Sequence, residues 1–323
     1  MFRIFFLLML ILGACSSPET ATKNVAIAKA AMPNFQRTVA VTIDDLPGIS
    51  LDDYEAVTKK LLTTLKKYEV PAIGFVNEGK LYRKGKLNKK RLALLEDWLT
   101  AGMELGNHTY GHPDYNQLTF EEFSADIIKG EKHTKTLQAK HGQTMRYFRH
   151  PFLRTGNTPE KKAQLAQFLQ KSGYEIAPVT IDNSEWIFAK AYHIALREND
   201  TAQMKKIGET YVQYMEDKTA FYEAQCEKLF DRAIKQSLLI HANALNGDYL
   251  DELLEMYQKR GYEFISMEET LQDPAYQSKD EYAGRGGISW IDRWAIAQKV
   301  DKAFFAGEPA CPQFIQDYAG LTE

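Results

Sequence analysis

Cysteine is scarce in this chain: three in 323 residues, at positions 15, 226 and 311, none in a Cys-x-x-Cys pair or at a Cys/His spacing that would hold zinc. That excludes a thiolate zinc module and a dithiol redox motif. A surplus of charge of one sign is missing too, since 40 Lys and Arg face 43 Asp and Glu for a net charge of −3. Nucleic acid is therefore not an expected partner, because phosphate binding draws on a basic excess. Long apolar runs are absent beyond the N-terminal segment, so no other stretch reads as membrane-spanning. Internal repeats are likewise missing. What is present is a globular composition, 44% hydrophobic and 12% aromatic, which supplies a core and excludes wholesale disorder.

Arg3 precedes the apolar run Ile4 to Leu12, which is too short to cross a bilayer and reads as the hydrophobic part of a signal peptide. The run ends in Leu12-Gly13-Ala14-Cys15, which resembles the bacterial lipobox, in which the cysteine becomes the first mature residue and carries lipid. The resemblance implies a lipoprotein signal peptide over 1–14 and lipidation at Cys15. It also implies a place in the bacterial cell envelope, periplasmic or on the outer-membrane side, with the membrane reached through the anchor. Residues 15–36, rich in Ser, Thr, Ala and Pro, suit a flexible tether. In such a compartment Cys226 and Cys311 could pair or stay reduced.

Beyond the tether, short β-branched runs alternate with helical stripes. Thr38 to Ile43 reads as a strand, and Tyr54, Val57, Leu61, Leu65 and Tyr68 fall on one helical face. Further strands are expected at Val70 to Val76, Met103 to Gly106, Met145 to Phe148, Tyr174 to Val179, Leu238 to Ile240 and Tyr262 to Ile265. Helix ends carry their own signals: Thr119 with Glu122 and Ser266 with Glu269 fit capping boxes, Thr158-Pro159 fits an N-cap and first turn, and Gly173 and Gly261 fit C-terminal caps. About seven strand-helix units in one domain predict an α/β fold with a parallel sheet, closed into a barrel in preference to an open doubly wound sheet. The domain is placed at 37–272. Within about 187–236, the polar stretch from Thr201 to Gln236 reads as a packing helix pair inserted between the fifth and sixth strands. Residues 273–323 read as an irregular extension packed on the barrel, and the basic run Lys84 to Arg91 as a solvated face.

The chemistry gathers at strand ends. Asp44-Asp45 follows the first strand, His108 the third, Arg149 the fourth, Asp182 to Trp186 the fifth and His241 the sixth, and in a parallel barrel all these ends share one face. Each alone has a bland explanation, and their convergence on one rim is what argues for a site. His108 and His112 are four apart, so one helical turn could aim both at an ion to which Asp45 adds an oxygen. Two imidazoles and a carboxylate suit Zn²⁺ or another divalent metal, with positions left open for water and substrate. Asp44 is then free to act as a base, with Arg149 keeping it ionised, while His241 could serve as an acid with Asp182 or Glu185 beside it. The set specifies metal-assisted hydrolysis of an acyl group.

Thr42-Ile43-Asp44-Asp45, His108-Thr-Tyr-Gly-His112, Arg149-His150-Pro151-Phe152, Asp182-Asn-Ser-Glu185-Trp186 and Leu238-Leu-Ile-His241 resemble, in order, the five motifs of the polysaccharide deacetylase family, the NodB-homology or carbohydrate esterase family 4 domain. The resemblance implies a distorted (β/α)₇ barrel that removes acetate from an N-acetylated glycan such as peptidoglycan, a chitin-like chain or poly-N-acetylglucosamine. It implies Asp44 as base, His241 as acid and Asp45, His108 and His112 as ligands to Zn²⁺, with Co²⁺, Ni²⁺ and Mn²⁺ as other occupants. Arg149 would orient Asp44, Glu185 would tune His241, and the Phe152 backbone N–H would help hold the oxyanion. His150 and Trp186 are expected along the groove. Three departures stand out: Ile43 for the frequent Phe, Leu153 for the glycine that usually follows the third motif, and Glu185 for the usual Asp. A non-catalytic glycan-binding lipoprotein on the same fold, or a hydrolase of small amides or imides, are the alternative functions.

Overall fold

A computed structural model describes residues 1–2, 36–49 and 53–323. Cys15 and the expected signal peptide and tether lie outside these, apart from Met1, Phe2 and Gln36. The chain divides after Asn34, and the larger unit, 35–323, holds the sheet and its helices. No helix among the described residues is long and apolar enough to cross a membrane.

Nine strands alternate with helices among the described residues. They are β1 (Arg37–Leu46), β2 (Ile73–Val76), β3 (Tyr82–Arg83), β4 (Lys86–Leu87), β5 (Glu104–Asn107), β6 (Tyr147–Phe148), β7 (Glu175–Ile176), β8 (Gln236–His241) and β9 (Tyr262–Phe264). The helices are α1 (Tyr54–Lys67), α2 (Lys89–Thr100), α3 (Phe120–Lys129), α4 (Lys132–Lys140), α5 (Pro159–Lys171), α6 (Glu185–Glu198), α7 (Thr201–Phe230), α8 (Ala244–Lys259), α9 (Met267–Leu271), α10 (Trp290–Ala297) and α11 (Gln313–Ala319). Seven strands form one parallel sheet in the order β7-β6-β5-β2-β1-β8, with β9 paired to the first residues of β1. Beyond β7 the chain returns to β8 through a parallel bridge between Ile181 and Leu238. The result is the distorted parallel barrel of the NodB type.

The central strand is β1, whose run Val39, Ala40, Val41, Thr42 and Ile43 is wholly buried, as a strand flanked on both edges and both faces must be. α1 covers it with Val57, Leu61 and Leu65, spaced four apart and buried. Each such leucine contributes about 2 kcal/mol by leaving water. Both capping boxes form, Thr158 caps α5 ahead of Pro159, and Gly173 and Gly261 take left-handed φ of 77° and 79° just past their helices.

Two expectations change. The stretch after residue 200 is one 30-residue helix, α7, lying against α6 and α8 in place of a helix pair. The extension is more ordered than an irregular strap: Trp290, Ile291 and Trp294 of α10 are buried, and Ser289 Oγ donates to Thr180 O at 2.8 Å. The basic run holds the β3–β4 hairpin, with Lys84 and Gly85 at positive φ in its turn, and is mostly exposed. Cys226 and Cys311 are separate buried thiols.

Candidate metal-dependent active site

Register brings the chemistry to one rim. β1 pairs with β8 so that Asp44 lies opposite His241, and Val76 pairs with Asn107, which pairs with Phe148. His108 and Arg149 are each the next residue beyond these pairs. On β1, Thr42 and Asp44 share a face, as residues two apart in a strand do.

Asp45 turns away at φ 74°, a left-handed value uncommon outside glycine. One ligand atom each from Asp45, His108 and His112 lie within 4.8 Å of one another. His108 Nδ1 stands 2.8 Å from Arg149 O, so that nitrogen carries the proton and Nε2 keeps a lone pair for the cluster. Burial pushes the pKa of both His108 and His112 below the ordinary range, leaving them neutral as metal ligands must be. Burial opposes charge on Asp45, but Lys80 and then His112 overcome it and hold the carboxyl well below the usual carboxylate range. Lys80 Nζ lies 3.0 Å from Asp45 Oδ1, an ionic contact without hydrogen-bond geometry that leaves this buried oxygen free to ligate. Donor set, tautomer and orphaned oxygen all fit a divalent cation.

The two histidines converge by a different route from the helical turn expected. Thr109 and His112 have φ of 68° and 54°, so residues 108–112 form a loop. Asn77 Nδ2 donates to His108 O at 2.5 Å, Thr109 N donates to Asn107 Oδ1 at 2.7 Å, and Asp126 Oδ1 accepts from Tyr110 N and Gly111 N. Gly130 lets this loop settle: a Cβ there would fall 2.4 Å from Thr109 C.

Asp44 sits beside the ligand set, its Oδ2 3.6 Å from His108 Nε2 and its Oδ1 3.5 Å from Arg149 Nη1. Burial raises its pKa to about 6 against the pull of Arg149. Arg149 is itself fully buried, fixed by a 2.9 Å bond from Nη2 to Thr42 Oγ1 and by stacking 4.6 Å over the Phe75 ring.

His241 faces the site from β8. Its Nδ1 lies 2.7 Å from Glu185 Oε2, and although burial disfavours its charge, Glu185 pushes its pKa up to about 9. Glu185 is fully buried, and its other oxygen accepts from Asn243 Nδ2 and, at 2.7 Å, from Asn246 Nδ2. Tyr211 of α7 donates to Asn246 Oδ1 at 2.7 Å, and Tyr214 OH accepts from Ser184 N at 2.9 Å. The inserted helix therefore braces the His241 side of the site. Glu185, not Asp182, is the partner of His241, and the extra methylene over the family's Asp is taken up in this network.

Phe152 is half exposed, its ring 4.5 Å from that of His112, and no acceptor is found for its N–H among the described residues. Phe152 and Leu153 have φ of 56° and 52°. A left-handed residue costs about 1 kcal/mol, which explains the family's glycine at 153. Trp186 is 45% exposed, so it belongs to the surface and not the core. His150 corrects the expectation of a groove residue: it is 2% exposed, packed between Phe148 and Trp290, and burial pushes its pKa down to about 3. His193, within α6, is buried as well. Lys80, Asn246, Tyr211 and Arg293 were not singled out from sequence. Of these only Tyr211 carries a sequence signal, as one position of the apolar stripe Ile207, Tyr211 and Tyr214.

A family model described as polysaccharide deacetylase matches residues 32–186. The peptidoglycan-N-acetylglucosamine deacetylase of Bacillus cereus is 28% identical over 154 residues, covering 48% of each chain. The peptidoglycan-N-acetylglucosamine deacetylase PgdA of Listeria monocytogenes is 24% identical over 168 residues, covering 52% of this chain and 31% of that protein. The chain thus spans half or less of the length of these curated relatives. Among solved structures, a CE4 family pseudoenzyme from Bacillus anthracis superposes with a TM-score of 0.50 at 17% identity, over 75% of this chain and 67% of the other. A mutant of it with restored enzymatic activity gives 0.50 at 19%, over 75% and 69%. Likeness at that identity bears on the fold alone. Motifs, barrel and family model agree in supporting a polysaccharide deacetylase domain over residues 32–186.

Proposed function

We propose that this protein is a metal-dependent N-deacetylase that removes acetyl groups from an N-acetylated glycan, with peptidoglycan the first candidate because the curated relatives carry that name. The observation that carries the reading is the division of labour around one rim: Asp45, His108 and His112 form a neutral-histidine ligand set, while Asp44 and His241 stand beside it uncommitted to ligation. Zn²⁺ suits these three ligands, and Co²⁺, Ni²⁺ or Mn²⁺ accept the same donors. Such an ion, when bound, supplies Lewis acidity that polarises an amide carbonyl and acidifies water.

The chain's own groups do the rest. Asp44, with a pKa of about 6, is ionised at neutral pH and takes a proton from the attacking water. Arg149 keeps that carboxylate aimed. The Phe152 N–H donates to the carbonyl oxygen as negative charge develops there. His241, protonated below about pH 9, gives its Nε2 proton to the departing amine, while Glu185 holds the ring by Nδ1. Trp186 offers an exposed aromatic face for a sugar beside the acid.

The proposal extends to place: Cys15 carries lipid and anchors the domain in a bacterial envelope, supported by the Leu12-Gly13-Ala14-Cys15 pattern. The mass of the mature N-terminus tests this, an unmodified Cys15 contradicting it. For the activity, acetate release from peptidoglycan and from N-acetylglucosamine oligomers by the Zn²⁺-loaded protein is the test. Release from either supports the reading. Release from neither, by protein holding one ion per chain, points to small amides or a binding role.

A further inference from the structure

The turn Pro151–Leu153 holds two successive non-glycine residues in left-handed conformation. Unaided, such a turn relaxes, because a side chain at positive φ crowds the neighbouring carbonyl. What opposes relaxation comes from 140 residues along the chain. Arg293 of α10, fully buried, donates from Nη2 to Leu153 O at 2.6 Å and from Nη1 to Thr155 Oγ1 at 3.0 Å. The guanidinium is fixed on every side: it lies 4.4 Å over the Trp290 ring and 5.0 Å from the Tyr282 ring, and Asp280 Oδ2 is 3.4 Å from Nη1. Gly287 closes on the same turn, since a Cβ there would fall 1.8 Å from Phe152 O. The segment that carries both is pinned to the barrel, Trp290 N donating to Val179 O at 2.8 Å.

We propose that Arg293, with Gly287, is a positioning residue for deacetylation: it clamps the turn so that the Phe152 N–H points where the oxyanion develops, and thereby allows leucine at position 153. The glycine usual there tolerates left-handed φ by itself, whereas Leu153 is held in it from outside. The proposal rests on the deacetylase reading, and it gives the C-terminal extension a share in the chemistry.

The test compares full-length Arg293→Met, Arg293→Lys and Gly287→Ala with wild type. The readouts are kcat and KM for acetate release, Zn²⁺ affinity, Tm and hydrogen exchange of the Phe152 amide. Arg293→Met is expected to lower kcat about 100-fold, the scale of a roughly 1 Å misplacement. KM should stay within about threefold, with Zn²⁺ affinity unchanged and Phe152 exchange accelerated. Arg293→Lys should recover part of kcat, and Gly287→Ala should reproduce the loss by pushing the turn from its other side. A lower Tm with wild-type kcat and exchange in Arg293→Met would overturn the proposal. Should that variant not fold, Gly287→Ala decides by the same readouts. If wild type releases no acetate, the deacetylase reading fails separately, and unchanged Phe152 exchange in the variants overturns the clamp.

Discussion

His241 Nδ1 lies 2.7 Å from Glu185 Oε2, and Glu185, wholly buried, spends its second oxygen on Asn243 and Asn246. The carboxylate is thus unable to turn away from the imidazole, and the histidine keeps its proton up to about pH 9. A free histidine loses it near 6.5.

Glu185→Gln should therefore move the alkaline limb of kcat/KM downward. The sign follows from the charge: a carboxylate beside an imidazolium favours the protonated form, so its removal lets the proton leave at lower pH. With burial now unopposed by that carboxylate, the limb should fall by about two pH units or more. A pH profile of acetate release measures it, and an unmoved limb would contradict the assignment of His241 as acid.

Tyr211 reaches the same pair from the inserted helix through Asn246. Tyr211→Phe keeps the ring and removes one buried hydrogen bond, so urea unfolding should show a loss of about 1 kcal/mol. Because Asn246 holds both Glu185 and the His241 carbonyl, kcat should fall along with stability. A stability loss with unchanged kcat would restrict α7 to packing.

Removal of the metal is expected to lower Tm, since an ion that binds the folded chain alone stabilises it by about 2.7 kcal/mol at a hundredfold excess over Kd. Asp45→Asn and His112→Ala should each weaken Zn²⁺ binding in a calorimetric titration and abolish the Tm response to chelator. His150→Ala, away from the ligand set, should leave Zn²⁺ binding intact. Equal affinity in all three variants would place the ion elsewhere.

Much of this was legible because local signals agreed with the fold. The β-branched run at 38–43, the Val57, Leu61 and Leu65 stripe and the two capping boxes each follow from backbone and side-chain chemistry within a few residues. The site residues were legible because parallel strands deliver their ends to one face. What escaped depends on contacts between distant segments. Residues 108–112 look like a helical turn by spacing, yet Asn77, Asn107 and Asp126 hold them in a loop with Thr109 and His112 at left-handed φ. α7 reads as two helices because Lys218 and Thr219 interrupt its apolar stripe, but both are buried there, Lys218 paired with Glu308 and Thr219 bonded to Met215 O and Tyr257 OH. Arg293 looks like any arginine in a tail until α10 is seen against the third motif.

The central claim is that Asp44 acts as a base beside an ion it does not hold. The most direct measurement is acetate release from N-acetylglucosamine oligomers and from peptidoglycan by Zn²⁺-loaded wild type and Asp44→Asn, with metal content determined for both. The account predicts one ion per chain in each protein and loss of release by at least about 100-fold in the variant, the scale of a positioned general base. Release at the wild-type rate from Asp44→Asn, or loss of the ion along with the activity, would contradict it.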